Sequence, residues 1–441
     1  MSNRTVHAWI GTFAASSFML SCNVATGILA ARLLLPEGRG TLVAILFWPQ
    51  IAADLGLMNL NTAVAQQASR NPEKSSIIAT TAAYLAVILS IITVVIVYFA
   101  LPYLIGPERA QWTAIAQIYL IAFLPLNFIG AIFIAARHAE QKFLQFNSLR
   151  LIPALVYLVG MVVLWLTDHI AIEFILICNW LGTVLVTLIL IIQVRSLFLQ
   201  SPHWAEARLL LKMAFRFKLS SIIVMLAREG DRIVIISLLS STSIGLYAVA
   251  FTVATSGLKI LTASFQGILF PKIARQSDIE HQRHLLGRAL RYSMVLSIAA
   301  SLCLIAITPV CIPLLFGQEF SSAIVPAILL LVVYNPKVLS DIIIFGLYGL
   351  DHPRPITISS AMASAAFLGI VLIVLVLPYT SINLITVIIA LGIANIVQLS
   401  YLLHHLNQSI QLTFSDWWGL NLNTICQVSE ILNKMLSHQK K

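Results

Sequence analysis

Twelve apolar runs of about 20 residues dominate the chain, and each is long enough to cross a bilayer as a helix. Hydrocarbon offers no partners for backbone N–H and C=O groups, so such runs fold as α-helices, which satisfy those groups internally. The runs cover residues 9–31, 41–66, 77–103, 113–136, 151–167, 172–194, 219–240, 244–270, 292–315, 321–349, 356–378 and 382–403. The sequence therefore predicts an all-α polytopic membrane protein with about twelve transmembrane helices.

The number and placement of the charges support a membrane protein. Only 10% of the residues are charged and 59% are hydrophobic, against about 25% charged in soluble domains. If both termini are cytoplasmic, 20 of the 27 Lys and Arg residues fall inside, 3 fall outside and 4 lie within predicted spans. The positive-inside rule thus predicts a multi-pass protein with both termini cytoplasmic. The net charge of +10 follows from this topology, and no nucleic-acid partner is expected.

The two halves of the chain repeat one another. A shift of 205 residues places Gly40 on Gly245 and Arg70 on Arg275, so one offset holds across a tight turn and the following basic loop. Six spans in each half give the halves parallel topology, related by an axis along the membrane normal. The repeat predicts two six-helix lobes around a central cavity, an architecture typical of transporters.

Three segments are expected from this division: an N-terminal lobe at 1–205, a C-terminal lobe at 206–403 and a cytoplasmic tail at 404–441. The tail holds Trp417-Trp418, followed by apolar residues interleaved with polar ones. This pattern is compatible with an amphipathic helix at the cytoplasmic interface, and equally with a simple extension.

Four charges within five residues, Arg228-Glu229-Gly230-Asp231-Arg232, interrupt the seventh run. Each costs roughly 2.5–3.5 kcal/mol at the centre of a membrane helix, so such residues usually face a polar cavity or pair. Arg228, Asp231 and Arg232 are spaced to share one helix face, and Glu229 lies three residues before Arg232 and about 100° from Arg228. The cluster forms a cationic ridge lining a cavity, with the acids orienting it or exchanging a coupling ion, or it is a structural salt-bridge set. A third reading starts the helix later and leaves the cluster near the cytoplasmic surface.

Three further charges lie within spans of the second half. Lys259 is in the middle of the eighth span, where it faces the cavity or pairs with an acid of the seventh. Lys337 and Asp341 are four residues apart and follow Asn335-Pro336. The proline would break the helix and free backbone carbonyls, as at transporter ion sites. A self-satisfied pair of charges is the equal alternative.

The first half offers two candidates. Asp54, near Gly56 in the second span, is a candidate proton or sodium site, or an ordinary polar contact between helices. Arg32 ends the first span, where an anchor that snorkels to the interface is favoured over a substrate ligand.

Chemistry at a bound metal or nucleotide is not expected. The sequence has no GxxxxGK[ST] phosphate loop and no HExxH or GxSxG pattern, and its five cysteines form no CxxC pair. We therefore expect a protein without a cofactor or a metal site, and not an enzyme, with protons or sodium ions as possible coupling ions.

Two groups of residues resemble one known family. The first is Arg-Leu-Leu-Leu-Pro-Glu-Gly-Arg-Gly at 32–40 with Trp48-Pro49-Gln50. The second comprises residues 231–235, 243–250 and 269–272. These patterns are similar to bacterial polysaccharide flippases, which carry lipid-linked O-antigen or capsule oligosaccharides and belong to the multidrug/oligosaccharidyl-lipid/polysaccharide (MOP) exporter superfamily.

The resemblance implies alternating access and a cargo. The expected substrate is an undecaprenyl-pyrophosphate-linked oligosaccharide, moved from the cytoplasmic to the outer leaflet of the bacterial inner membrane, with membrane lipids and other polysaccharide-assembly proteins as partners. Arginine suits pyrophosphate because its planar fork donates paired, charge-assisted hydrogen bonds. A multidrug exporter of the same superfamily is the alternative. A membrane enzyme of glycan assembly is disfavoured, because the predicted outer loops are short.

Overall fold

The fold is helical throughout the part of the chain that the structure describes. This computed structural model describes residues 3–140, 143–194, 201–216, 218–274, 278–350, 352–377 and 382–418. The first helices are α1 (Asn3–Gly56), α2 (Leu60–Arg70), α3 (Ser75–Ile105), α4 (Thr113–Ala139), α5 (Phe143–Thr167), α6 (Ile172–Val194), α7 (Trp204–Arg216) and α8 (Lys218–Leu238). They are followed by α9 (Ser241–Ala274), α10 (Ile279–Phe316), α11 (Ile324–Val333), α12 (Asn335–Gly349), α13 (Arg354–Val376), α14 (Leu384–Ile410) and α15 (Phe414–Trp417). The predicted all-α polytopic class is confirmed.

Nine helices of the described ranges are long and apolar enough to cross a membrane, and the bent pair α11–α12 makes ten. Two features explain the difference from twelve predicted spans. Two predicted spans fall on α1, where Leu35 has a non-helical conformation (φ 58°, ψ 177°) and divides the helix before Pro36. A third falls on α8, whose four charges reduce its hydropathy. The count of twelve stays a prediction.

The second predicted span, 41–66, is interrupted. α1 ends at Gly56 and α2 begins at Leu60, and Met58 and Asn59 between them have positive φ angles of 55° and 60°. Asparagine tolerates the left-handed region better than most residues, whereas methionine does not, so tertiary contacts must hold this turn. The apolar run alone contained no clear signal of this break.

Large apolar side chains cover much of the surface. Ile91 and Ile96 of α3 are 58% and 63% exposed, and Val376 of α13 is 80% exposed. Soluble monomers rarely expose contiguous apolar patches larger than a few hundred Å². These faces are therefore lipid-facing, and the protein is a multi-pass membrane protein.

The chain divides into two compact units. Unit 1 comprises Met1–Ile222 and Ile236–Ala248. Within it α3 packs on α4, α5 packs on α6 and α1, and the linker helix α7 packs on α2 and α3. The face of α7 that carries Ala207, Leu210 and Ala214 is buried, which follows from their helical spacing.

Unit 2 comprises Ile223–Ile235 and Val249–Lys441. Its core brings together Leu286 of α10, Ile342 of α12 and Leu402 of α14, and α13 packs along α14. The predicted lobe boundary at 205 stays a prediction.

The short helix α15 docks on the start of α10. The carboxylate of Asp416 accepts hydrogen bonds from the backbone N–H and hydroxyl of Thr413, at 2.8 and 2.7 Å, and forms an ion pair with Arg283 at 2.7 Å. Arg291 donates to the Asp416 carbonyl at 2.7 Å. Residues 419–441 of the predicted tail at 404–441 lie outside the described residues, so the amphipathic helix there stays a prediction.

Docking of α15 should be insensitive to pH near neutrality and should loosen only in acid. Burial alone would raise the pKa of Asp416, but the bonds from Thr413 and Arg283 outweigh it and lower that pKa below its ordinary value. Its stabilising contribution is therefore complete above about pH 3.9 and is lost as the pH falls through the lowered pKa. Hydrogen exchange of residues 413–418, corrected for the intrinsic rate, should show this acid loosening. Asp416→Asn should be looser than the unmodified protein above the transition, equally loose in acid, and without a transition of its own; the same transition in that variant would contradict the assignment.

Candidate functional site

The predicted charge cluster lies in the middle of α8. The helix begins at Lys218, so Arg228 is about 15 Å along its axis. The helix thus begins well before the cluster, and the depth of the cluster in the membrane stays a prediction. Apolar residues of the same helix, including Met225 and Val234, are buried on either side of the charges.

Glu229 pairs with both arginines of the cluster. Its two carboxylate oxygens accept hydrogen bonds from Arg228 Nε and Arg232 Nη1, each at 2.9 Å. The Glu229 side chain is 13% exposed, that of Arg232 32% and that of Arg228 57%. Asp231, which the spacing placed on the face of Arg228, is 3% exposed. Glu229 thus bridges the two arginines.

An aromatic ring on α9 extends this group of charges. Arg232 Cζ lies 4.2 Å from the ring centroid of Phe251, and Lys259 Nζ lies 5.2 Å from the same centroid. Cations at these distances are attracted to the ring face. We call Arg228, Arg232, Lys259, Glu229 and Phe251 the α8–α9 cationic cluster. Counting the buried Asp231 of the same turn of α8, three cations stand with two acids, so the net charge stays positive.

Lys337 and Asp341 of α12 pair with each other. Lys337 Nζ lies 3.0 Å from Asp341 Oδ1 and donates to Gln398 Oε1 of α14 at 3.3 Å. Gln398 in turn donates to Ser360 of α13 at 3.4 Å. The pair therefore belongs to a polar network across three helices of unit 2. It also interacts electrostatically with the cluster, since Asp341 and Lys259 attract each other.

The predicted helix break before Pro336 is present. α11 ends at Val333, α12 begins at Asn335, and the two are bent by 40°. Two asparagine amides reach carbonyls at this break: Asn335 donates to Leu331 at 2.8 Å and Asn395 donates to Val333 at 2.9 Å. Side chains of the protein thus meet these carbonyls.

The two candidates of the first half lie in unit 1. Asp54 is exposed near the end of α1 and interacts electrostatically with Lys218, whose ammonium group donates to the Leu55 carbonyl. Arg32 is exposed, one turn before the division of α1 at Leu35. Both residues belong to unit 1, whereas the α8–α9 cationic cluster belongs to unit 2.

Arg109 is buried in unit 1, and the sequence pattern did not mark it. The residue is 3% exposed and donates to the carbonyls of Ile105 and Ile236, both at 2.7 Å. It also donates to the Leu239 carbonyl at 3.2 Å and to the Ser241 hydroxyl at 3.3 Å. One guanidinium thus caps the carbonyl ends of α3 and α8 at the same time. Its partners Ile236, Leu239 and Ser241 lie about 130 residues away in sequence, so no local pattern could reveal them.

Gly40 and Gly245, which the sequence repeat superimposes, lie against each other in unit 1. A Cβ on Gly40 would lie 1.7 Å from the carbonyl oxygen of Ser241, and one on Gly245 would lie 2.0 Å from that of Pro36. Only glycine allows two backbones to approach this closely. The contact therefore brings together, within unit 1, two residues that the predicted repeat makes equivalent.

No metal-binding group stands out in the part of the chain that the structure describes: no three His, Cys, Asp or Glu side chains come close enough to hold an ion. The chemistry available at the α8–α9 cationic cluster is instead the binding of an anion by guanidinium and ammonium groups.

Comparisons with known proteins agree with this architecture. Residues 28–325 match the model of a family described as polysaccharide biosynthesis protein. A search of curated proteins finds no match. Among solved structures, the lipid II flippase MurJ in an inward closed conformation is similar with a TM-score of 0.77 and 16% identity, over 96% of this chain and 93% of that one.

Two further solved structures share the fold. An inward-facing multidrug resistance MATE family transporter of the MOP superfamily has a TM-score of 0.66 and 16% identity, over 90% of this chain and 96% of its own. A MOP superfamily transporter from Pyrococcus furiosus, described as having a binding pocket of reverse polarity, has a TM-score of 0.62 and 16% identity, over 92% and 95%. Since the family match covers well over half of its length, the chain belongs to the polysaccharide biosynthesis protein family, and it has the helical fold of MOP superfamily transporters.

Proposed function

We propose that the protein is a secondary transporter that flips an undecaprenyl-pyrophosphate-linked oligosaccharide from the cytoplasmic to the outer leaflet by alternating access. The observation that carries the proposal is the α8–α9 cationic cluster, in which Arg228, Arg232 and Lys259 lie beside Glu229 and the ring of Phe251. A pyrophosphate cannot cross hydrocarbon unaided, and it requires compensating positive charge within the membrane. The family match supports a cargo of polysaccharide assembly.

Each member of the cluster has a distinct role in this proposal. Arg228, whose side chain is 57% exposed, meets the phosphoryl oxygens first. Arg232 is held by Glu229 and by the ring of Phe251, so its fork is oriented before the substrate arrives. Lys259 is exposed and supplies a third cation. Glu229 keeps the two arginines close together when the anion is absent.

The setting of the protein is part of the proposal. We place it in the bacterial inner membrane with both termini cytoplasmic, because 20 of 27 basic residues then lie inside. It uses no cofactor, and protons or sodium ions drive the cycle, with Asp341 and Asp54 as the acids that would exchange them. Its partners are the lipid-linked oligosaccharide, membrane lipids and other polysaccharide-assembly proteins.

Reconstitution tests the function directly. Purified protein in liposomes that contain a lipid-linked pyrophosphate oligosaccharide should move that lipid between leaflets, as measured by its accessibility to a membrane-impermeant sugar-modifying reagent. Protein-free liposomes are the baseline. Ethidium efflux without movement of the lipid would support the multidrug alternative instead. Chemical turnover of the lipid-linked sugar would support a membrane enzyme, and either result would overturn the flippase proposal.

A further inference from the structure

A basic cavity lies where α15 meets the first turns of α10, in unit 2 and away from the α8–α9 cationic cluster in sequence. Its volume is about 370 Å³, and the lining residues are Arg283, His284, Gly287, Arg288, Arg291 and Asp416. Gly287 permits this arrangement, because a Cβ there would lie 2.9 Å from the Asp416 carbonyl oxygen. The cavity thus depends on the close docking of α15.

Positive charge exceeds negative charge in this cavity. The Asp416 carboxylate pairs with Arg283 at 2.7 Å. Arg291 donates to the backbone carbonyls of Asp416 and Ser415, which orient its guanidinium without neutralising it. Arg288 is exposed, and its Nε donates to the carbonyl of His284 on its own helix at 3.4 Å.

Acidic residues just before the cavity are engaged by histidines. Asp278 lies 3.4 Å from His281, and Glu280 lies 4.0 Å from His284. Both pairs are exposed, so these carboxylates remain largely solvated and screened. Arg288 and Arg291 face no carboxylate in these contacts. They therefore form an anion-binding pair one helical turn apart.

The position of the cavity along α10 is that of a lipid headgroup. The apolar part of α10, from Ser293 to Phe316, is 24 residues long, or about 36 Å at 1.5 Å per residue. This length covers the hydrocarbon thickness of about 30 Å. Arg291 and Arg288 consequently lie within the first two turns beyond the hydrocarbon, where lipid phosphates are found.

The aromatic side chains of α15 fit the same depth. Phe414 stacks on Trp418 with ring centroids 4.9 Å apart, and Trp417 lies edge-on to Phe414 at 5.1 Å. Phe414 is 61% exposed. Tryptophan is enriched at membrane interfaces, where its ring lies at the level of the headgroups.

We propose that this cavity binds the phosphoryl headgroup of an anionic membrane lipid. Arg288 and Arg291 donate to the phosphate oxygens, and the Phe414–Trp417–Trp418 cluster lies beside the glycerol and upper acyl region. Arginine forks are suited to phosphate oxygens, and the charge-assisted bonds they form are among the stronger hydrogen bonds in proteins. The site is independent of the proposed transport cycle and would hold a resident lipid at the start of α10.

Native mass spectrometry of the full-length protein tests the proposal, with phosphatidylglycerol and phosphatidylcholine as the probes. We expect one phosphatidylglycerol to be retained in preference to phosphatidylcholine. Arg288→Gln should reduce that retention about tenfold or more, because charge-assisted hydrogen bonds are lost. Arg288→Lys should recover much of it, since it restores the charge. Arg208→Gln, which removes an exposed arginine of α7, is the matched control and should retain the lipid.

Two outcomes would overturn the site. Equal losses in Arg288→Gln and Arg208→Gln would show only diffuse attraction between basic residues and anionic lipid. Displacement of the lipid by inorganic phosphate at an equal concentration would show a site for free phosphate instead. The thermal unfolding midpoint of each variant should equal that of the unmodified protein, because Arg208 and Arg288 are exposed.

Discussion

Replacing Arg232 by glutamine is expected to reduce movement of the lipid-linked pyrophosphate about tenfold to a hundredfold. The substitution removes the charge-assisted bond to Glu229 at 2.9 Å and the contact of the guanidinium with the Phe251 ring at 4.2 Å. Such a bond contributes about 1.5–3 kcal/mol and a cation–π contact about 0.5–2 kcal/mol, and both orient the group that meets the substrate. Transport should be measured in proteoliposomes at equal protein content.

Three variants separate binding from structure. Arg232→Lys keeps the charge but loses the planar fork, so we expect intermediate transport. Arg228→Gln affects a side chain that is 57% exposed, so it should lower transport with little change in thermal stability. Arg208→Gln, on the linker helix α7, should transport normally. Normal transport by both Arg228→Gln and Arg232→Gln would show that the α8–α9 cationic cluster is structural.

Adding one methyl group at Gly40 or Gly245 should disrupt unit 1. The new Cβ would lie 1.7 Å from the Ser241 carbonyl oxygen in the first case and 2.0 Å from the Pro36 carbonyl oxygen in the second. Both neighbours are backbone atoms, so the helices must separate by more than 1 Å to relieve the contact. Overpacking of this kind costs about 1–3 kcal/mol or more. We expect a lower thermal unfolding midpoint and loss of transport, because the backbones at Gly40 and Gly245 can no longer pack closely against each other.

Gly369 of α13 supplies the control for this experiment. A Cβ added there would meet no heavy atom within 4 Å. Gly369→Ala should therefore be neutral, or stabilising by up to about 1 kcal/mol through helix propensity. If Gly40→Ala and Gly245→Ala unfolded and transported like Gly369→Ala, the close contact would not exist in the working protein.

Local pairs of charges could be read from the sequence. Arg232 follows Glu229 by three residues and Asp341 follows Lys337 by four, and the structure joins both pairs. The bridge from Glu229 to Arg228 was missed, because helical geometry places adjacent residues about 100° apart and ignores the reach of a long arginine side chain.

Other features of the site could not be predicted from spacing. Phe251 looked like any apolar residue of its span. Only the packing of α9 beside α8 brings the Arg232 guanidinium to its ring, where Lys259 of α9 also lies. The positive φ angle of Leu35, at which α1 divides, was also not foreseen, because leucine seldom adopts a positive φ.

The sequence by itself determined the membrane class, the helical fold and the resemblance to polysaccharide flippases, because hydropathy, charge bias and motifs are local properties of the sequence. It also predicted that Gly40 and Gly245 are equivalent. Only the tertiary structure decided that these glycines touch, that Arg109 caps two distant helices and that α15 docks on α10. The physical reason is range: helical periodicity relates residues three or four apart, whereas contacts between residues more than 100 positions apart depend on how whole helices pack.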